Sequence, residues 1–253
     1  MYPITLAMIA RNEEHDLPSC AESVKGLISE IVLVDSFSTD GTVAAAQKLG
    51  AKVASHEFTG YAEQKNRALD MASNDWILHL DPDETLSPEL REEIADLFES
   101  GKQDCDAYNI PYQNTFLGKT LNHAGLNREK HIRLFRKSKS RFGGGLVHEG
   151  IMVRGTVGLL KGRICHNSYP TLEEYFEKFN SYTTLAAKKM HENGKRFSAW
   201  KIAVVPLEFS KRYFLRLGFL DGVAGLVWSG VSAFYVFVKY AKLWKIEQDE
   251  DNK

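Results

Sequence analysis

Three carboxylates crowd into Asp81-Pro82-Asp83-Glu84, directly after Trp76-Ile77-Leu78-His79-Leu80, a run that reads as a buried strand. Like charges this close repel, and an unpaired carboxylate beside an apolar strand is costly to desolvate. A positive partner is expected between them, a metal ion or a lysine, unless water alone solvates the turn. Pro82 stiffens that turn and lets both aspartates face one crevice. Hard oxygen ligands in this number suit Mg2+ or Mn2+, which keep water or phosphate oxygens in their remaining positions. Two further polar clusters follow apolar runs: Arg11-Asn12-Glu13-Glu14 and Asp35-Ser36-Phe37-Ser38-Thr39-Asp40-Gly41-Thr42. Taken singly, Asn12 and Glu13 read equally as helix caps or ligand contacts, Asp35 as a turn residue, and Asp40 as an N-cap whatever else it does. Together they fall where open α/β sheets bind ligands, outside the carboxyl ends of the strands.

The elements that must position these clusters alternate between two periods. Strands are expected at 4–9, 31–34, 52–54 and 76–80, and helices at 14–27, 41–49, 62–71 and from Ser87-Pro88-Glu89 to Phe98. That order implies an α/β fold with a mostly parallel sheet flanked by helices. From 108 to 157 the pattern is irregular, with a few strands and loops, followed by a strand ending near Cys165. Beyond Thr171 the chain reads as helical, at 172–191, 198–211 and along an apolar stretch from 213 to 244. Two regions follow: residues 1–168, carrying the three clusters, and a C-terminal amphipathic helical extension, 169–253.

With 253 residues the chain accommodates one large domain and a helical appendage. Lysine plus arginine (32) balance aspartate plus glutamate (33), which gives no electrostatic argument for nucleic acid. Cys20, Cys105 and Cys165 are widely spaced and lack CxxC geometry, as expected of a reducing cytoplasm. The apolar run Ile4 to Ala10 has no basic segment before it and reads as a first strand, not a signal peptide. From Gly222 to Val238 there is no charge, and Lys239, Lys242 and Lys245 then alternate with Tyr240 and Trp244. A bilayer span takes about 20 apolar residues, so this stretch is borderline. It reads either as an interfacial helix with its lysines toward anionic lipid, or as a helix buried in the protein or in a homodimer.

Ile4 to Glu14, the Val34-to-Thr42 segment, Gln64-Lys65-Asn66-Arg67-Ala68 and Asp81-Pro82-Asp83-Glu84 together resemble family 2 glycosyltransferases of the GT-A fold. The continuation, with Ile132-Arg133-Leu134-Phe135-Arg136, Val147-His148-Glu149 and the tail Val238-Lys239-Tyr240-Ala241-Lys242-Leu243-Trp244, is similar to bacterial lipopolysaccharide-core β-1,4-glucosyltransferases. The resemblance implies that Ala10, Asn12 and Glu13 line the nucleotide-base pocket and that Asp35 accepts a hydrogen bond from the uracil imide. It implies Lys65 near the phosphates, Asp81 by the ribose or donor sugar, and Asp83 on the metal, as in the family's D-x-D signature.

The Glu-Asp pair that carries the base in many inverting members is missing between Tyr108 and Gly150; Glu149, after Gly143-Gly144-Gly145, is its substitute as catalytic base. His166 reads as a second metal ligand or a strand-end histidine with a structural hydrogen bond. Arg133 and Arg136 read as phosphate contacts or as a solvated sheet face. The implied activity is inverting, metal-dependent transfer of a hexose from a UDP-sugar, UDP-glucose above all, to a lipopolysaccharide-core or other envelope glycolipid. The protein would then sit in the cytoplasm, on the inner face of the bacterial plasma membrane. A sugar nucleotidyltransferase would share the α/β frame, but it wants a glycine-rich, arginine-containing first loop, and Arg11-Asn12-Glu13-Glu14 is acidic and has no glycine. A non-catalytic nucleotide-sugar-binding membrane scaffold is the rival from another class.

Overall fold

The computed structural model describes residues 1–145, 148–169 and 171–251. They divide into two compact units, 1–113 with 129–166 and 114–128 with 167–253. The first unit opens with β1 (Ile4–Ala10), α1 (Leu17–Ser23), β2 (Glu30–Asp35), α2 (Thr42–Lys48), β3 (Lys52–Ser55), α3 (Tyr61–Met71) and β4 (Trp76–His79). β5 (Glu84–Leu86), α4 (Pro88–Glu99), β6 (Ala107–Phe116), β7 (Lys119–Thr120), β8 (Lys130–Arg136), β9 (Ser140–Gly145), β10 (His148–Val153), β11 (Val157–Leu159) and β12 (Ile164–Tyr169) follow.

The strand order β3-β2-β1-β4-β8-β6 is parallel over its first four members, and β8 runs antiparallel to both neighbours. Burial of both faces explains why β1 and β4 read as unbroken apolar runs. The two-residue period then sorts the side chains. Leu6, Met8, Leu33 and Leu78 pack with Leu17 of α1 and with Leu90 and Ile94 of α4 on one face; Ala7, Val32, Val34 and Ile77 pack with Ala68 and Leu69 of α3 on the other. Ser87 caps α4 by accepting from the Leu90 amide at 3.2 Å, and Pro88 opens its first turn.

Two expected boundaries shift for physical reasons. The first helix begins at Leu17 instead of residue 14 because the preceding amides and carboxylates are spent tying one loop to another, as described below. The expected strand ending near Cys165 instead starts at Ile164, because Ile164, Cys165 and His166 pair antiparallel with Leu86, Thr85 and Glu84 of β5.

In the second unit, α5 (Leu172–Glu192) and α7 (Gly222–Asp251) pack around Phe116, Tyr175, Phe179 and Trp228, and α6 (Val204–Ser210) lies against α7. The apolar stretch expected as one helix is broken: a wide turn at Lys211–Leu215, Leu217 in the left-handed region (φ 57°) and a short 3-10 turn at Gly218–Asp221 precede α7. By length and composition, residues 218–250 could cross a membrane. In this unit the helix lies along α5, with Phe234 stacked on Phe179 at 5.6 Å and Tyr235 edge-on to it.

Candidate active site

β1, β2 and β4 are adjacent and parallel, so the loops that leave them emerge at one edge. Ala10 is level with Asp35, and His79 is level with Ala7, two residues before Asp81. Ala10 is buried at the strand end and Asn12 is exposed just beyond it. The first two loops are stapled together. The Asn12 amide donates to Ser38 Oγ (2.9 Å), Asn12 Oδ1 accepts from the Thr39 amide (2.8 Å), and the Glu13 amide donates to Thr42 Oγ1 (2.7 Å). Glu14 accepts from the Gly41 amide, and a Cβ at Gly41 would lie 2.5 Å from Glu14 Oε2, so the staple requires glycine there. Asn12 (φ 60°) and Phe37 (φ 56°) both hold left-handed backbone, which phenylalanine tolerates less readily than asparagine.

Asp35 is buried, only 1% exposed, and accepts from the Ser38 amide at 3.1 Å and from Ser38 Oγ and Ser55 Oγ. It therefore shapes the turn that carries Phe37 and Ser38, beneath the surface of the crevice. Lys65, on α3, is largely buried, with its ammonium 5.6 Å from the Phe142 ring and 6.0 Å from the Tyr61 ring.

The positive group among the carboxylates is an arginine. Arg133, on β8, is buried and places Nη2 3.0 Å from Asp81 Oδ2 and 2.7 Å from Glu84 Oε1. Its Nε donates to the Tyr112 hydroxyl, which donates in turn to Glu84 Oε1 at 2.8 Å. Glu84 Oε2 accepts the Asp81 amide at 2.9 Å. The reading of Arg133 as a solvated sheet residue or phosphate contact is thus corrected, since its donors point into the protein. Arg136, on the same strand, lies over the Trp76 ring at 4.5 Å and pairs with Asp75 at 3.6 Å, with a third of its side chain exposed, as a partly solvated sheet residue.

Burial pushes the Asp81 carboxyl up, but the charges of Arg133 and then Lys65 more than offset it and hold the group well below the usual range. Burial raises Glu84, against the opposing charge of Arg133. Burial likewise raises the Tyr112 phenol, which keeps its proton and stays a donor. His79 is driven down to about 3, by burial first and then by Lys65 and Arg133. Its Nδ1 lies 2.9 Å from the Ala7 carbonyl and so carries the hydrogen of a neutral ring. The 3.8 Å approach of Nε2 to Asp81 is therefore no ion pair, and among the described residues this buried nitrogen has no hydrogen-bond partner.

Asp83 faces elsewhere. Its Oδ2 lies 3.1 Å from His166 Nε2, and both side chains are about a quarter exposed (28% and 26%). Burial lowers the His166 pKa, but the hydrogen bond and charge of Asp83 outweigh it and the net direction is up. Two cis ligands each about 2.1 Å from an octahedral divalent ion stand roughly 3 Å apart, so the pair fits a shared Mg2+ or Mn2+. Among the described residues no group of three or more His, Cys, Asp or Glu forms a fuller cage. Water and phosphate oxygens would supply the remaining ligands, as such ions prefer.

Glu149 lies in β10 opposite Gly144. Val147 and the side chains of His148 and Glu149 fall outside the described residues. Of the expected site residues, Ala10, Asn12, Glu13, Asp35 and Asp81 gather on the loops of adjacent strands, His166 joins Asp83, and Lys65 acts electrostatically on Asp81. Sequence reasoning missed Tyr112 and the structural role of Arg133. The available signal was one arginine inside the apolar run Ile132-Arg133-Leu134-Phe135.

A mostly parallel sheet with its polar loops at the carboxyl ends of adjacent strands and an acidic rim defines an α/β protein of the GT-A type. The chain belongs to glycosyltransferase family 2: the family profile, Glycosyl transferase family 2, matches residues 5–152. An uncharacterized glycosyltransferase of Rickettsia typhi is 34% identical over 263 residues, covering 100% of this chain and 90% of its own. The lipopolysaccharide core biosynthesis glycosyltransferase LpsC of Rhizobium meliloti is 32% identical over 255 residues, covering 96% of this chain and 92% of its own. Among solved structures, S. aureus TarS 1-349 aligns over 98% of this chain and 91% of its own, at 14% identity and a TM-score of 0.46.

Proposed function

We propose that this glycosyltransferase is inverting and metal-dependent and moves a hexose from a UDP-sugar, with UDP-glucose the leading donor, to a lipopolysaccharide-core or other envelope glycolipid on the inner face of the bacterial plasma membrane. The observation that carries the reading is the division of labour at the acidic turn: Asp81 is held ionised by Arg133, while Asp83 is left to pair with His166 at the rim. The full-length likeness to LpsC supports the envelope acceptor. Ala10, Asn12 and Glu13 border the base, and Asp35 takes the uracil imide once Ser38 yields a hydrogen bond. Lys65 holds the phosphates, and Asp81 orients the ribose or donor sugar. Asp83 and His166 hold the divalent ion, which when bound neutralises charge developing on the departing diphosphate.

Glu149 removes the acceptor hydroxyl proton as that oxygen forms its bond to the anomeric carbon. The anomeric carbon–phosphate oxygen bond breaks on the opposite face and UDP leaves, so the configuration inverts. Incubation with Mn2+ and a panel of nucleotide sugars should release UDP, with UDP-glucose turned over fastest; no release from any donor would leave the scaffold reading. Glu149→Gln should slow the chemical step about 100-fold or more and leave UDP affinity nearly unchanged. Equal loss of UDP binding would assign Glu149 a structural role.

A further inference from the structure

The second unit holds a cavity of about 130 Å3 lined by Asn122, His123, Gly125, Asn127, Leu215, Arg216 and Leu217. That is several times the room one water needs. Its walls are fixed. The Asp221 carboxylate accepts from the amides of Asn122 (3.2 Å) and His123 (2.9 Å) and faces His123 Nδ1 at 3.0 Å. The Asn127 side-chain amide is spent on the Asn114 amide and the Leu121 carbonyl. Arg212 ties the Ala124 carbonyl (3.2 Å) to Glu208 (2.7 Å).

What remains unspent is cationic or polar. Among the described residues the Arg216 guanidinium has no hydrogen bond or ion pair, nor does the Asn122 side-chain amide, and His123 Nε2 accepts and donates nothing. Arg216 is half-buried and packs over Gly125, where a Cβ would come within 2.2 Å of Nη1 and where φ is +85°. Only glycine both adopts that backbone and leaves room for the arginine. A partly desolvated guanidinium without a counterion, held by a dedicated close approach, is suited to a planar or tetrahedral oxyanion.

The same segment carries unburied apolar side chains. Leu215 is 81% exposed and Val223 74%, and Phe214 before them and Leu217, Phe219 and Leu220 between them are exposed as well. Soluble surfaces seldom expose so many large apolar groups in succession. The lysines of α7, by contrast, are already occupied. Lys242 donates to the Asn180 carbonyl, Asn180 Oδ1, Thr183 Oγ1 and Thr184 Oγ1 at 2.7–2.8 Å. Lys245 pairs with Asp249, and Lys239 lies against the Tyr235 and Tyr240 rings.

We infer that the Arg216 cavity is a headgroup site for an anionic membrane lipid, with residues 214–223 entering the bilayer surface beside it. Arg216 and the Asn122 amide take the oxyanion of the headgroup, and Leu215, Leu217, Phe219 and Leu220 meet the acyl chains. The anionic lipid contact thus moves from the α7 lysines to a built pocket in the turn before that helix. The inference rests on the proposed membrane-surface position of the protein and makes it specific.

The test is flotation of the full chain with vesicles of phosphatidylcholine alone and of equal parts phosphatidylcholine and phosphatidylglycerol. One basic contact at an anionic surface corresponds to about a fivefold gain in binding. Wild type should favour the mixed vesicles by at least that factor. Arg216→Gln should bring binding down to the phosphatidylcholine level, and Arg216→Lys should keep most of the gain. Leu215→Ser with Leu217→Ser should weaken binding to both vesicles. UDP-sugar hydrolysis should be unchanged in every variant. Undiminished binding by Arg216→Gln, or an equal loss in Lys211→Gln, would overturn the pocket while leaving the membrane position intact. No wild-type binding to either vesicle would overturn both. Saturation of the pocket by inorganic phosphate, read from the His123 ring signals, with no preference for mixed vesicles would overturn the lipid as its source.

Discussion

Arg133 and Arg216, one in each unit, are both at least partly withdrawn from solvent, and their environments are opposite. Arg133 is buried under two carboxylates and a phenol, and its Nε and Nη2 are answered from within the protein. Arg216 is half-buried over a glycine, and its guanidinium is answered by no described side chain. A desolvated charge must find a partner, and where it finds one decides its role. In the first unit the partners are built in, and the arginine becomes a strut that sets the charge of Asp81. In the second the partner must come from outside, and the arginine becomes a receptor.

The largest break in that comparison is Arg133→Met. It would leave the buried Glu84 beside a one-third-exposed Asp81 without their counterion; removing one member of a fully buried pair costs about 3–5 kcal/mol, and water reaching Asp81 brings the expected loss to the lower end of that range. The urea midpoint should fall accordingly at neutral pH and recover in part on acidification, as Glu84 takes up a proton. An unchanged midpoint would show that Asp81 and Glu84 find another cation.

Next is Asp83→Ala. Asp83 has no contact with Arg133 in the described structure and is partly exposed, so its loss should spare the fold. Metal-dependent turnover should drop about 100- to 1,000-fold, the scale of removing one group that stabilises transition-state charge, and the unfolding free energy should stay within about 0.5 kcal/mol of wild type. Full turnover in this variant, or in excess chelator, would remove the metal role from the Asp83–His166 pair.

Much of this was legible in the chain. Ile4 to Ala10 and Trp76 to His79 announce a parallel sheet because strands buried on both faces cannot alternate, and the polar clusters after them therefore mark the functional edge. The pairing of Asp83 with His166 could be anticipated as chemistry, since both suit the same ion. Its geometry depends on β12 pairing with β5, a contact across some eighty residues that no local pattern encodes. The same is true of Arg133. A strand residue with alternating neighbours is ordinarily solvated on one face, and only the antiparallel register of β8 beside β4 turns it inward to Asp81. The break before α7 was hidden because an unbroken apolar composition says nothing about backbone sign at Leu217.

A smaller effect separates structural carboxylates from functional ones. Burial pushes Glu30 up, but hydrogen bonds from Lys52, Thr5 and Ser73 more than offset it and bring the group from its ordinary 4.5 down to about 2. A depressed carboxyl stabilises the fold in its ionised form, so this contribution is complete above about pH 4.5 and is lost as the pH falls toward 2. Glu30→Gln should lower stability at pH 7 and flatten its decline between pH 4.5 and 2, without altering turnover. A decline as steep as that of wild type would place the acid sensitivity at the Asp81–Arg133–Glu84 cluster instead.

The smallest expected effect is the sharpest contrast with Arg133. Arg216→Gln removes a charge that no described group answers, so no buried partner is orphaned and the stability change should stay within about 0.5 kcal/mol. A loss as large as that of Arg133→Met would mean that Arg216 is another internal strut, and the cavity beside it would then be a packing space without a role in binding.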